Sequence, residues 1–377
     1  MSIATAISAA QERVANAYTA ISAKGGTLPA TQNLANMPTA IQSIPSGSSE
    51  IPSYQITNGV ITRHSDALTG NEFSNITEID SYGMCYAFYK CTGLTGTLDL
   101  SSLTTIGSYG MSNAFQGCTG LTGTVDLSAL TSVGNSGMYY AFYGCTGLTG
   151  NVDLSALTSI GTNSMYYVFQ GCTGLTSVNL SAVTTIDSYG MQYAFRGCTE
   201  LTSIDLSALT SIGYYGMSNA FQGCTALTGA LNLSALTTIG SNGMNSTFYG
   251  CRGITSIDLS ALTSISSSGM NSTFYGCTEL ENIYFRALTT TSFGTNTNQF
   301  NNMMYNTGTT KTHTLHFPSN LESTIAGLTG YPTFGGTEGY VVCAFDLPST
   351  ETNEQSGVIS DPGAGDIETD PVVPTRP

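Results

Sequence analysis

Eight of the chain's ten cysteines stand on a ladder: Cys91, Cys118, Cys145, Cys172, Cys198, Cys224, Cys251 and Cys277, separated by 27, 27, 27, 26, 26, 27 and 26 residues. Self-similarity at a fixed period of this length is the signature of a stacked-repeat protein. One unit runs from Leu201 to Ala226, L-T-S-I-D-L-S-A-L-T-S-I-G-Y-Y-G-M-S-N-A-F-Q-G-C-T-A. Period-2 alternation places Ile204 and Leu206 on one face of a strand. Leu209, Ile212, Met217, Phe221 and Cys224 continue the inward set around the coil. One such unit has too little apolar surface to make a core, but stacked units bury a continuous one. Eight rungs at about 4.8 Å give an array of roughly 40 Å. The one-residue difference between periods has a visible cause. The longer units read L-T-G-x-[LV]-[DN]-L, as in Leu121 to Leu127, and the shorter ones L-T-S-[IV]-[DN]-L, as in Leu201 to Leu206. A Gly plus one residue in place of one Ser predicts a small bulge ahead of the strand.

The pattern I-G-x-x…A-F-x-G-C-x-x-L-x-x-[IV]-x-L, carried by Ile106, Ala114, Phe115, Cys118, Leu121 and Leu127 and repeated in the following units, resembles the leucine-rich repeats of the BspA (Treponema) type. The resemblance covers roughly Phe73 to Leu288. It implies a right-handed, curved solenoid. It implies no particular partner, because repeats of this kind are scaffolds. Two features depart from the family pattern. Ser stands where the family has Pro after the strand Leu, as at Ser128 and Ser207, and extra residues around Tyr109–Met111 imply a longer convex side.

The ends differ in composition from the repeats. Ile3, Ile7, Ala10, Val14, Ala17 and Ile21 form an a/d seam over about three heptads, with Ser2 as a cap and Gly25-Gly26 as the stop. The expectation is a helix over 1–25 whose Ile3, Ile7, Val14 and Ile21 serve assembly. A shorter helical piece follows over 32–44. Ala20 to Pro45 resembles N-terminal modules of tail and other virion proteins of phages from gut bacteria. Tyr54 to Thr62, with Asn58-Gly59 at its centre, predicts a hairpin that shields the open end of the sheet. Leu280 to Thr309 is a degenerate repeat, and Thr312 to Phe317 and Tyr340 to Phe345 alternate like strands of a C-terminal cap. Asp346 to Pro377 holds seven acidic residues against one Arg, a composition that does not fold alone. The expected divisions are a helical attachment or oligomerisation module over 1–45, linker and N-terminal cap over 46–72, solenoid over 73–288, degenerate repeat and C-terminal cap over 289–345, and an acidic tail over 346–377.

Charge narrows the function. Of 377 residues, 24 are Asp or Glu and 9 are Lys or Arg, a net charge of -15. That excludes the basic footprint of a nucleic-acid binder. No run of eighteen apolar residues predicts a membrane span. Met1 to Ala20 does not read as a secretory signal, since Gln11, Glu12 and Arg13 interrupt any apolar stretch. No G-x-S-x-G, P-loop or H-E-x-x-H occurs, and no C-x-x-C supports zinc. The ladder cysteines would stand about 5 Å apart on adjacent rungs. Their A-F-x-G-C setting favours buried free thiols over pairing. Cys85, six residues before Cys91, leaves a local bridge open.

Asp99, Asp126, Asp153, Asp205 and Asp258 share one repeat position with Asn179 and Asn232. Facing away from Leu100 and its equivalents, they should form a solvated stripe on the concave sheet. Two alternatives are a cation that relieves their repulsion and a retaining-glycosidase carboxylate pair. The second is disfavoured because identical environments give identical roles. His313 and His316 face opposite sides of one strand, and His64 stands alone.

The informative variation lies between the Ile and the Cys of each unit. Met and Phe stay fixed there while Tyr, Ser and Asn exchange around them. These are the residues that binding loops favour, because they contact partners at low entropic cost. Tyr also stacks and hydrogen-bonds. The expected binding residues are Tyr109, Asn113, Tyr139, Tyr140, Tyr143, Tyr166, Tyr167, Tyr189, Tyr193, Tyr214 and Tyr215. The expectation is a leucine-rich-repeat solenoid, a β-rich curved stack of 26–27-residue coils with a small N-terminal helical module and β caps. It would have no catalytic residues, no metal and no cofactor. The favoured role is a phage virion component, tail- or surface-mounted. It would bind other virion proteins through residues 1–45 and the acidic tail, form a homo-oligomer, and present the solenoid to a host-surface protein or glycan. The alternatives are a BspA-like bacterial surface adhesin and a purely structural decoration protein of the particle.

Overall fold

A computed structural model describes residues 53–57, 60–67, 73, 76–295, 297–338 and 340–347. The expected helices over 1–25 and 32–44, with Ile3, Ile7, Val14 and Ile21, and the acidic tail past residue 347 lie outside the described residues.

Each coil has three sides. The first is a long strand, such as Leu121–Asp126, Leu148–Asp153 or Gly174–Asn179. The second is a two-residue strand, such as Ser159–Ile160 or Thr185–Ile186. The third, between the short strand and the ladder cysteine, is a run of overlapping turns. All three sides stack in parallel on the next coil. The long strands form two five-stranded parallel sheets, and the short strands a three-stranded and a five-stranded one.

The turn side has a regular bonding rule. In one coil Gly216, Ser218, Ala220 and Gln222 donate their N–H groups to carbonyls three residues back. The intervening Tyr215, Met217, Asn219, Phe221 and Gly223 donate to Ser241, Gly243, Asn245, Thr247 and Tyr249 of the next coil. Every backbone donor in the run is satisfied, as burial demands. The rule requires a left-handed residue at every fourth position: Tyr215 has φ 52°, Asn219 57° and Gly223 76°. That explains the Gly before every ladder cysteine but Cys91, where Lys90 takes the same position at φ 55°.

The interior is a set of columns. Phe88, Phe115, Phe142, Phe169, Phe195, Phe221, Phe248 and Phe274 stack one on the next at centroid separations of 5.1–6.1 Å. Phe73 meets the first two edge-on. Met111, Met138, Met165, Met191, Met217, Met244 and Met270 form a second fully buried column. The cysteines are free, and those from Cys118 to Cys277 are buried. Each of these seven thiols donates to the carbonyl of the preceding coil's Phe at 2.9–3.2 Å. The ladder therefore ties coil to coil without disulfides, and Cys85 and Cys91 are not bridged.

The expected bulge is present. Gly123 has φ 77° and Gly150 φ 76°, and the register between neighbouring long strands shifts at Gly123/Val125 and Gly229/Ala230. Where an unbulged strand, Ser203–Asp205, is followed by a bulged one, Thr228–Asn232, the long-side ladder divides into its two sheets. The short-side ladder divides between Ser132–Val133 and Ser159–Ile160. A Cβ at the Gly before Met217, Gly216, would lie 2.9 Å from Ile212 Cγ2 and 3.1 Å from Asp187 O. Ser164 holds that position before Met165 and carries a Cβ. Its coil stands off, so that the nearest atom to a Cβ on Gly161 is Val133 O at 3.8 Å.

At the N-terminal end, Ser53–Thr57 and Val60–Ala67 pair antiparallel around residues 58–59, the hairpin expected there. At the C-terminal end, His313–Pro318 and Val341–Leu347 are the expected strands. They pair in parallel and add two rungs to the long-side sheet, so they extend the ladder. A short helix, Glu322–Ala326, lies between them.

Candidate binding face

The turn side carries the tyrosines. Two left-handed positions per coil accept a side chain, and they hold Tyr82, Tyr86, Tyr109, Tyr140, Tyr167, Tyr189, Tyr193 and Tyr215 at φ 52–61°. Asn and Ser occupy the equivalent places in other coils, as at Asn163, Asn219 and Ser246. Asn suits this conformation. A bulky ring there is a strained choice, costing on the order of 1–3 kcal/mol per residue, and such strain concentrates at functional sites.

Rings on successive coils stack into short columns. Tyr140, Tyr167 and Tyr193 are 4.5 and 4.4 Å apart, and Tyr139 and Tyr166 are 5.1 Å apart alongside them. Tyr143 meets Tyr140 at 5.3 Å, and the Arg196 guanidinium lies 5.7 Å from the Tyr193 ring centre. These six rings on three coils form the densest patch. A second group joins Tyr189, Tyr214 and Tyr215. Inside a column the ring faces cover one another, so the column offers ring edges and hydroxyls to solvent. Burial, then neighbouring phenols, pushes the Tyr140 and Tyr167 hydroxyls well above the ordinary phenol range, and burial pushes Tyr86 to about 12. They are neutral donors and acceptors at any physiological pH. The patch is chemically an aromatic and hydroxyl surface with one cation, Arg196, at its edge, on a chain of net charge -15.

Of the expected contact residues, Tyr109 and Tyr214 are exposed. Tyr139, Tyr140, Tyr143, Tyr166, Tyr167, Tyr189, Tyr193 and Tyr215 are half-buried on the same side. Asn113 is not available: it is only 7% exposed, and its amide is held by Ser112 and Gln116. Its role is to hold a left-handed backbone position. The sequence reasoning missed Tyr82, Tyr86, Tyr89, Tyr275 and Tyr305. Tyr82 stacks on Tyr109, and Tyr249, Tyr275 and Tyr305 form a column of their own. The signal was present, since all but Tyr305 occupy repeat positions already singled out in neighbouring units.

The acidic column has a different explanation from the one expected. Oδ1 of Asp99, Asp126, Asp153, Asp205 and Asp258, and of Asn179 and Asn232, accepts the N–H of the Ser two residues on, at 2.9–3.1 Å. Each closes an Asx turn that ends the long strand. The two Ser101 bonds lower the Asp99 carboxyl below its usual range. Among the described residues no cluster of three or more His, Cys, Asp and Glu is placed to hold a metal, and no helix is long and apolar enough to cross a membrane. His313 is buried, with Nδ1 against Leu280 O, while His316 stands on the opposite side of the strand.

The model of the BspA-type leucine-rich repeat region matches in six copies, over residues 35–149, 111–242 and 191–324. A comparison with curated proteins gives no match. Among solved structures, a leucine-rich repeat protein of Treponema pallidum is 18% identical over 64% of this chain and 83% of its own, with TM-score 0.32. A leucine-rich repeat protein of Bacteroides ovatus is 17% identical over 78% and 91%, with TM-score 0.25. A leucine-rich cell surface protein of Faecalibacterium prausnitzii is 17% identical over 82% and 91%, with TM-score 0.26.

Proposed function

The chain belongs to the BspA-type leucine-rich repeat proteins, and from that premise we propose that it is a non-enzymatic adhesin of a bacterial surface, binding a host-surface protein or glycan through its tyrosine-bearing turn side. The observation that carries this reading is the placement of eight tyrosines in left-handed backbone positions that Asn or Ser fills in other coils. The coil's backbone bonding does not require a ring there, which supports contact with a partner as the reason for it. Uncharged tyrosine surfaces recognise partners through rigid rings and adaptable hydroxyls.

The test uses substitutions that the repeat itself supplies. Tyr139→Ser and Tyr166→Ser copy Ser112 and Ser218; Tyr140→Asn and Tyr167→Asn copy Asn113 and Asn219. The quadruple variant should fold with an unchanged thermal midpoint and lose at least about tenfold in binding to host cells, about 1.4 kcal/mol. Unchanged binding would remove the turn side from the reading.

A second reading rests on the resemblance to virion-protein modules expected from the sequence of Ala20 to Pro45. In it the chain is a phage virion component that attaches and oligomerises through residues 1–45 and displays the same solenoid. The solution mass of the full chain, against a version starting at Ile51, separates the two. An oligomer that becomes monomeric on truncation favours the virion reading, and a monomer in both forms favours the adhesin.

A further inference from the structure

Seven successive long strands end in the same three residues, Asp-Leu-Ser or Asn-Leu-Ser: 99–101, 126–128, 153–155, 179–181, 205–207, 232–234 and 258–260. The eighth reads Tyr284-Phe285-Arg286. The middle residue keeps its place in the core, as Phe285 is fully buried. The two flanking positions lose the carboxylate or amide and the Ser that make the Asx turn in every rung before. The two rungs that follow, His316-Phe317-Pro318 and Ala344-Phe345-Asp346, lack it as well, so the rung of Tyr284 is where the long side changes from Asx turns to another chemistry.

The ladder register shows what the exchange builds. Asn232, Asp258, Tyr284 and His316 stand opposite one another on successive strands. The His316 ring stacks on Tyr284 at 4.7 Å and 15° and covers one of its faces. His316 is itself fixed, with Nδ1 2.9 Å from Asp346 Oδ2 and Nε2 3.1 Å from Asn282 Oδ1. The other face of Tyr284 looks along the ladder over the shorter Asp258 and Asn232. A groove of ≈ 390 Å³ lies there, lined by Asn232, Ser256, Asp258, Tyr284 and Arg286. The Arg286 guanidinium lines the same groove and lies over the Tyr284 ring, 5.7 Å from its centre.

We propose that this step on the long-strand side is a carbohydrate subsite that takes one neutral pyranose unit. An aromatic wall at the edge of a groove packs against the C–H face of a sugar ring. A carboxylate and a guanidinium beside it, with an amide and a hydroxyl, supply the fixed acceptors and donors that adjacent sugar hydroxyls need. The opposed charges of Asp258 and Arg286 leave no net field to select a charged sugar. The site is on a different side of the coil from the tyrosine columns and stands whether or not those columns bind a partner.

The test restores the repeat. Tyr284→Asn and Arg286→Ser each return the rung to its neighbours' sequence, so both should fold with thermal midpoints equal to or above the parent's. The probes are the methyl glycosides of glucose, galactose, mannose and N-acetylglucosamine at millimolar concentration. They are read by saturation-transfer NMR on the full chain. The expected result is transfer to the ring protons of at least one glycoside, lost in Tyr284→Asn, weakened at least severalfold in Arg286→Ser, and unchanged in Tyr139→Ser/Tyr166→Ser. Absence of transfer from the parent to all four glycosides would overturn the subsite. So would transfer that survives Tyr284→Asn, or that disappears only in the turn-side variant.

Discussion

On the long-strand side, the side chain that ends each strand is held by its own backbone: Asp126 Oδ1 accepts the Ser128 N–H at 2.9 Å, and its counterparts do the same. On the turn side the backbone asks only for a left-handed φ, and Tyr140, Asn219 and Ser246 all supply it. Repetition therefore means different things on the two sides. The Asp/Asn column is constant because one acceptor is needed at one place. The turn column varies because its backbone bonds run between main-chain atoms whatever the side chain is. Constancy marks structure here, and the proposed contacts fall on the exceptions: rings where Asn would relax the turns, and Tyr284-Phe285-Arg286 where the Asx turns end.

The comparison presumes an interior common to both sides, and the largest effects are expected there. Burial raises the Cys145 and Cys224 thiols to about 12, while an unfolded thiol ionises near 8.5. Below about 8.5 both states are protonated and the full stability is present. Above it the unfolded chain alone loses protons, so stability falls until the folded thiols ionise near 12, at about 1.4 kcal/mol per pH unit per thiol. The other buried thiols add to this. Urea midpoints measured from pH 7 to 11 should drop steeply above pH 9, and Cys145→Ala with Cys224→Ala should flatten that drop. A slope unchanged by the double substitution would mean that the thiols are not what couples the coils to pH.

The next effect is local to one column. Phe195 stacks between Phe169 at 5.4 Å and Phe221 at 5.5 Å and is fully buried. Phe195→Ala should cost about 3–5 kcal/mol, read as a lower denaturant midpoint. Asp126→Ala, which removes only the Asx acceptor, should cost about 1 kcal/mol. Asp126→Asn keeps the acceptor, as Asn179 does naturally, and should change almost nothing. If Asp126→Asn were as damaging as Asp126→Ala, the charge would matter and the turn would not be the reason for the column.

These expectations also show what could be read before any coordinates. The inward set was legible because burial follows the repeat: Leu206, Leu209, Ile212, Met217, Phe221 and Cys224 are buried, and Ile204 is partly buried against them. The bulge was legible because Gly123 and one added residue have no other use. The Asp column was read as facing solvent, which periodicity tells, but not as closing a turn, which depends on the two residues that follow. Asn113 was taken for a contact residue because composition alone does not distinguish a surface Asn from one required at φ 56°. Tyr284-Phe285-Arg286 was legible as a break in a seven-fold pattern. Its meaning depends on His316, 32 residues away and adjacent only through the ladder.

The smallest effect bears most directly on the turn side. Tyr167→Asn removes a ring that touches Tyr140 and Tyr193, contacts worth about 0.5–1.5 kcal/mol each. It also relieves a bulky residue at φ 58°, a strain on the order of 1–3 kcal/mol. The two nearly cancel, so the unfolding free energy should change by no more than about 1 kcal/mol in either direction. A near-zero change places the tyrosine's value outside the folded chain itself, with whatever it contacts. A loss above about 2 kcal/mol, on the scale of a core substitution, would instead make the ring columns part of the scaffold. The two sides of the coil would then differ in chemistry but not in purpose.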